Sequence, residues 1–434
     1  MGYTGHIFKT KGFPGAFSRL GQIINRFGVT SKKIDNCLDT FINITDEFGY
    51  NPTLCATAIL LDSHSEVLQK LNQRNAEVAI HGYIHTDYTT LSEEEINDHF
   101  KKSKELFKNY SIPFSGFRFP YLSYNELSLN AVRRNGFLWS SNQAICWNVL
   151  DKNTIAQEKW ENFQRVIDTL YTTRDASNYL SLPKIEEDCV DIPVSVPDDE
   201  IIIDRLGITD ERGIGQIWHK ILDASYVRGE LFTLQSHHER VPFYGSALRS
   251  LLKKAKDLSP KVWIVPLKEI AAWWKEKDEF NFQITSQKKG CYHIKAHCSP
   301  RATILVKKPH TGDSSSTLFD HYNLIKEREF DITSDKKPII GIAHHSPQGL
   351  INFLRQEGFM TEVSSDRDEY ALYLDTYYTF NADDEKKLID IIEDSPSPLL
   401  RFWRWPNKAQ SALSITGDID SITLIDFVRR YLAF

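Results

Sequence analysis

Between Ser31 and about Lys275, stretches with helical spacing alternate with short apolar runs. From Ile34 to Phe48, Leu38, Phe41, Ile42 and Ile44 recur near the helical period, which predicts a helix with one apolar face. Thr53–Leu61 reads as a short apolar strand, Ser65–Asn75 as a helix and Glu77–Ile80 as a second buried strand. Further strands are expected at Glu230–Gln235 and Val262–Val265, the latter leading into a helix over Leu267–Lys275. Strands that alternate with helices predict an α/β fold with a mainly parallel sheet.

After Lys275 the pattern changes. Phe280–Lys308 alternates in period two and predicts paired strands. Pro309–Thr317 is a polar turn with a serine run, and strands continue to about Ala343. A helix over Pro347–Glu357, strands at Phe359–Val363 and Tyr370–Leu374, and a helix over Asp383–Glu393 follow. Ser395–Pro398 reads as a linker or tight turn. Ala412–Thr416 is a last strand that ends in a carboxylate pair, followed by an amphipathic helix to Phe434.

Composition narrows the function. A formal net charge of −6 offers no basic field for nucleic acid. The chain has 9 Trp, 18 Tyr and 25 Phe, rings that serve core packing before sugar stacking. Met1–Phe17 lacks the basic start and apolar run of a signal peptide, and no stretch is long and apolar enough to span a bilayer. A cytoplasmic protein is expected. The six cysteines form no C-x-x-C pair; reduced buried thiols are the expectation, with a Cys291–Cys298 bridge across a hairpin as the alternative.

Four short segments can carry chemistry. His81-Gly82-Tyr83-Ile84-His85 follows a buried strand, and two imidazoles at that spacing reach one metal if the loop begins a helix. Asp418-Ile419-Asp420 also follows a strand; one carboxylate can bind metal while the other takes a proton from water. The alternative is helix capping by Asp420 or Ser421. In Arg118-Phe119-Pro120-Tyr121 the arginine can hold a carboxylate ionised, and the Pro-Tyr turn can aim backbone N–H groups at an oxyanion. In Ser236-His237-His238 a histidine can protonate a leaving group, or the pair is an ordinary surface feature.

Together these segments resemble the polysaccharide deacetylases, the NodB-homology family of carbohydrate esterases. His81 and His85, followed by Leu91-Ser92, match the family's H-x-x-x-H motif. Arg118, Pro120 and Tyr121 match R-x-P-Y, trailed by Gly136-Phe137 and Ser140-Ser141. His237, or less well His238, matches the late histidine, and Glu269–Trp274 resembles a domain ending. One feature departs from the family. Its aspartate motif ordinarily opens the domain, yet nothing upstream of Ile34 fits, and Ser414–Asp420 at the other end does.

The resemblance therefore implies a distorted NodB-type (β/α) barrel that is circularly permuted. The barrel would span residues 1–275, a β-rich subdomain 276–343 and a small α/β subdomain 344–408, with 409–434 completing the barrel. It also implies a metal-dependent deacetylase of an N- or O-acetylated sugar or glycan. Asp420, His81 and His85 would bind one divalent ion, zinc by preference. Asp418 would act as general base, oriented by Arg118, the Tyr121 N–H would stabilise the oxyanion and His237 would be the acid. Asp198 and Asp199 would position a site residue or sit in a solvated turn. An amidohydrolase for another small C–N substrate and an inactive carbohydrate-binding protein stay open, as does homo-oligomerisation.

Overall fold

The structure is a computed structural model that describes residues 26–169, 171–307 and 318–429. The expected turn at Pro309–Thr317, the extreme N-terminus and the last five residues lie outside these limits.

The largest assembly is one curled sheet. Its order is Arg174–Asp175, Ala144–Cys146, Val194–Val196, Leu231–Ser236, Ser411–Ile419, Thr53–Ala56, Glu77–Ile80, Gly116–Phe117, Trp139–Ser140, Cys189–Asp191 and Lys184–Glu186. Val262–Ile264 pairs separately with Ser411–Ile419. All these pairings are parallel except the last hairpin, Lys184–Glu186 with Cys189–Asp191. The sheet bends into a half-barrel, and helices pack on its outside. Its central strands are buried at every residue, as a parallel sheet covered on both faces requires.

The C-terminal strand sits in the middle of this wall. Thr53–Ala56 pairs with Thr416–Ile419 on one side, and Leu231–Ser236 pairs with Ala412–Gly417 on the other. It runs over Ser411–Ile419, longer than the expected Ala412–Thr416, so Asp418 lies on the strand and Asp420 just beyond it.

Around it the helices follow their apolar spacing. Lys32–Glu47 buries Ile34, Leu38, Phe41, Ile42 and Ile44. Glu93–Asn109 opens with a capping box: the Ser92 hydroxyl accepts from the Glu95 N–H, and the Glu95 carboxylate accepts from the Ser92 N–H.

One predicted strand is too long. Thr53–Leu61 stops at Ala56, and a short 3-10 turn over Ala58–Leu60 leads to a helix at Leu61–Gln73. The cause is long-range. The N–H groups of Ala58 and Ile59 turn to the carbonyls of Gly82 and Tyr83 instead of continuing a ladder.

At the N-terminal ends of the strands, the buried Glu77 carboxylate acts as a hub. It accepts from the Thr53 hydroxyl at 2.7 Å, the Ser115 hydroxyl at 2.8 Å, the Trp139 indole at 2.9 Å and the Lys268 N–H at 3.0 Å. A buried charge persists only when its acceptor capacity is filled in this way.

Residues between the barrel helix Leu267–Asp278 and the C-terminal strand build three small sheets. Asn281–Lys288, Cys291–His297 and Glu329–Thr333 are antiparallel. Ile304–Lys307 lies between Tyr322–Ile325 and Leu400–Phe402. Lys337–Ile342 lies between Thr361–Val363 and Tyr370–Leu374, all parallel, with helices at Gln348–Gln356 and Ala382–Asp394.

The chain then returns through a clasp. The Trp405 indole donates to the Gly229 carbonyl at 2.9 Å, and Arg404 Nη1 donates to the Arg228 carbonyl at 3.0 Å. Gly229 is left-handed (φ 64°), and a Cβ there would meet the Trp403 ring at 2.7 Å, so the close approach needs glycine.

All six cysteines are free, so Cys291 and Cys298 are not joined. Among the described residues no helix is long and apolar enough to cross a membrane.

Candidate active site and metal centre

The candidate residues meet at the C-terminal ends of the central strands. His81 and His85 follow the Glu77–Ile80 strand in a loop, so the helical condition for their meeting is not the one used. The difference traces to Gly82, which takes φ 82° and turns the chain out of a helical path.

The His81 Nδ1 lies 3.0 Å from the Arg118 carbonyl. A carbonyl only accepts, so Nδ1 carries the proton and the Nε2 lone pair is left facing the site. His81 Nε2 is 3.5 Å from Asp420 Oδ1, and His85 Nε2 is 3.4 Å from Asp420 Oδ2. Ligand atoms of these three residues lie within 4.8 Å of one another, the only such cluster among the described residues. Two imidazoles and one carboxylate suit zinc or a similar ion, and they leave coordination positions open.

Beside this cluster Asp418 is 2% exposed at its side chain. Arg118 Nη1 donates to its Oδ1 at 2.9 Å, and Gln235 Nε2 donates to its Oδ2 at 2.7 Å. Arg118 is itself fixed. Nη1 also reaches the Thr416 hydroxyl at 3.0 Å, Nε donates to the Ser141 carbonyl at 3.2 Å and Nη2 to the Ser141 hydroxyl at 3.0 Å. Ser141, legible only as half of a serine pair, thus orients the arginine. Cys55, the sheet neighbour of Asp418, is buried, and burial drives its thiol far above the usual range.

Tyr121 stands edge-on to the His85 ring, with centroids 4.4 Å apart. It adopts φ 62°, and Leu122 follows at φ 52°. Two consecutive non-glycine residues in the left-handed region are costly and concentrate at functional sites. Asn142 Oδ1 accepts the Phe119 N–H at 2.7 Å and helps hold this turn.

The two neighbouring histidines differ completely. His237 Nδ1 lies 2.9 Å from Asp199 Oδ1, and Asp199 Oδ2 accepts the His237 N–H at 2.8 Å. Burial disfavours the His237 cation, but the Asp199 carboxylate outweighs it and pushes the pKa up to about 10. His238 is fully buried, neither ring nitrogen has a hydrogen-bond partner among the described residues, and burial lowers its pKa.

The expectation for Asp198 and Asp199 therefore divides. Asp199 grips His237, whereas Asp198 Oδ1 accepts the Ile201 N–H at 2.8 Å and its Oδ2 faces the Tyr171 hydroxyl. Burial, with the charges of Asp199 and Glu200, pushes Asp198 up to about 7.

Sequence reasoning gave Gln235 and Thr416 no role. Thr416 sits two residues before Asp418 on one strand and so on the same face, and Gln235 sits two before His237, which lies just past its strand. That spacing was the available signal.

Comparison with known proteins bears on this arrangement. The family profile described as polysaccharide deacetylase matches residues 32–139, a segment that contains His81, His85, Arg118 and Tyr121. Over this segment the chain is similar to the polysaccharide deacetylases. Asp418, Asp420 and His237 fall outside the matched segment.

Among solved structures, a candidate polysaccharide deacetylase from Mycobacterium smegmatis is 18% identical, over 55% of this chain and 76% of that one, with TM-score 0.42. One from Pseudomonas aeruginosa PAO1 is 16% identical, over 55% and 72%, with TM-score 0.43. PuuE allantoinase is 16% identical over the same shares, with TM-score 0.42. No curated protein matches the chain.

Proposed function

We propose that this polysaccharide deacetylase relative is a metal-dependent hydrolase removing an N- or O-acetyl group from a sugar or glycan. The observation that carries the reading is the meeting of Asp420, His81 and His85 beside an Asp418 held by Arg118. Asp420, His81 and His85 would hold the ion, which we take to be zinc. When bound, zinc would polarise the acetyl carbonyl and acidify water at neutral pH.

The chain's own groups do the rest. Arg118 and Gln235 donate to both oxygens of Asp418, which fixes its aim. Asp418 takes a proton from the attacking water, and the Tyr121 backbone N–H donates to the developing oxyanion. His237, held protonated by Asp199, gives a proton to the departing sugar nitrogen or oxygen.

The place of Ser411–Ile419 in the wall supports reading the barrel as a circular permutation. The strand that ordinarily opens the family's domain would here arrive last. We also take the protein to work in the cytoplasm, on a soluble or lipid-linked sugar more readily than on extracellular polymer.

Acetate release from a panel of N- and O-acetylated sugars, with zinc and after chelation, tests the reading. Zinc-dependent acetate release is expected. Release of ammonia or carbamate from another C–N substrate, with no acetate from the panel, would favour an amidohydrolase instead. Absence of turnover on every substrate, in protein carrying zinc, would leave a binding protein and overturn the proposal.

A further inference from the structure

The loop Gly82-Tyr83-Ile84 separates the two candidate metal histidines and forms neither helix nor strand. Its outer side is tied to the neighbouring turn, since Ala58 N–H donates to the Gly82 carbonyl at 2.9 Å and Ile59 N–H to the Tyr83 carbonyl at 3.0 Å. Its inward N–H, that of Tyr83, meets a side chain. The Tyr88 hydroxyl, fully buried, accepts it at 3.1 Å.

That hydroxyl in turn lies 3.3 Å from His99 Nδ1. Burial lowers the His99 pKa and raises that of Tyr88, so both stay neutral and the hydroxyl can donate to the imidazole. The result is a short chain from the Tyr83 N–H through the Tyr88 hydroxyl to His99. The approach is close: a Cβ at Gly82 would lie 3.1 Å from both the Tyr88 ring and its oxygen.

We infer that Tyr88, backed by His99, is a positioning residue that fixes the loop shape bringing His81 and His85 together at Asp420. This inference rests on the metal reading above. The hydroxyl is the specific element, because the ring alone is held by Phe100, Phe117 and Phe119, with centroids 5.2–6.0 Å away. Partners that orient metal ligands are commonly worth tenfold or more in metal affinity.

Tyr88→Phe keeps the ring and removes the hydroxyl. Zinc affinity, measured by competition with a chromogenic chelator, is expected to weaken about tenfold or more. Amide exchange at Tyr83 is expected to quicken, while the metal-free protein melts within a few degrees of wild type. Phe100→Leu loosens the same aromatic cluster without touching the Tyr83 amide, and should lower the melting temperature with zinc affinity kept.

Unchanged zinc affinity in Tyr88→Phe would overturn the inference. Equal losses of affinity in both variants would do so too, by reducing Tyr88 to a packing residue. A wild-type protein that takes up no zinc would overturn the metal reading itself, a result distinct from either.

Discussion

His237 and Asp199 meet twice, once through the ring Nδ1 at 2.9 Å and once through the His237 backbone N–H at 2.8 Å. The double contact fixes both the position and the proton of the imidazole. The pair also makes stability depend on pH. The folded pKa of about 10 exceeds the unfolded value near 6.5. Its contribution is therefore fully present below about pH 6.5 and is lost as pH rises through about 10. Denaturant titrations of wild type and Asp199→Asn should diverge most at and below pH 6.5 and converge above about 10. Equal stabilities of the two proteins at pH 6 would refute the pairing.

Asp418→Asn should leave zinc bound, because Asp420, His81 and His85 are untouched. The rate should fall on the order of a hundredfold or more, as expected when general-base help is removed. His237→Ala should cost a similar factor and His238→Ala much less, since only His237 is gripped by Asp199. If His238→Ala proves the more damaging change, the acid has been assigned to the wrong residue.

Purified protein should carry about one equivalent of zinc or a similar ion. His81→Ala should lower occupancy sharply, and chelation should lower the melting temperature, since a ligand that binds only the folded state stabilises it. Full occupancy in the His81→Ala, His85→Ala double variant would sink the assignment of ligands.

Glu77 offers a test remote from the chemistry. Glu77→Leu abandons four donors at the bottom of the barrel, among them the Trp139 indole and the Lys268 N–H. A loss of about 3–5 kcal/mol is expected, on the scale of breaking a buried charge arrangement by removing one partner. Zinc affinity of the remaining folded protein should not change. A stability loss under about 1 kcal/mol, the net worth of a single hydrogen bond, would show the hub to be dispensable.

The helices and the chemistry-bearing motifs were legible because each is written locally. Apolar spacing marks Lys32–Glu47, and His81, His85, Arg118 and Tyr121 lie in short patterns. Asp418 and Asp420 were legible as a carboxylate pair after an apolar strand, but their place beside His81 and His85 followed only from the lack of such a pair in the N-terminal part of the chain. What stayed hidden was set by contacts distant in sequence. The strand at Thr53 ends early because of carbonyls near residue 82, and Gln235 acquires its task only when the C-terminal strand lies beside it. His237 and His238 are equivalent as letters. Burial and a carboxylate from another loop separate them.

The middle position of Ser411–Ile419 also bears on how the protein is made. Its neighbours Thr53–Ala56 and Leu231–Ser236 leave the ribosome long before it, and among the described residues their facing edges have no other parallel partner in the finished sheet. Until that late strand arrives, two buried-type apolar edges stand open in the half-made chain, a state prone to mispairing and aggregation. Closing the wall joins residues at opposite ends of the sequence, the kind of contact that slows folding. Maturation should therefore depend on chaperones that hold the open barrel, and a nascent chain stalled before Ser411 should be captured by them in full.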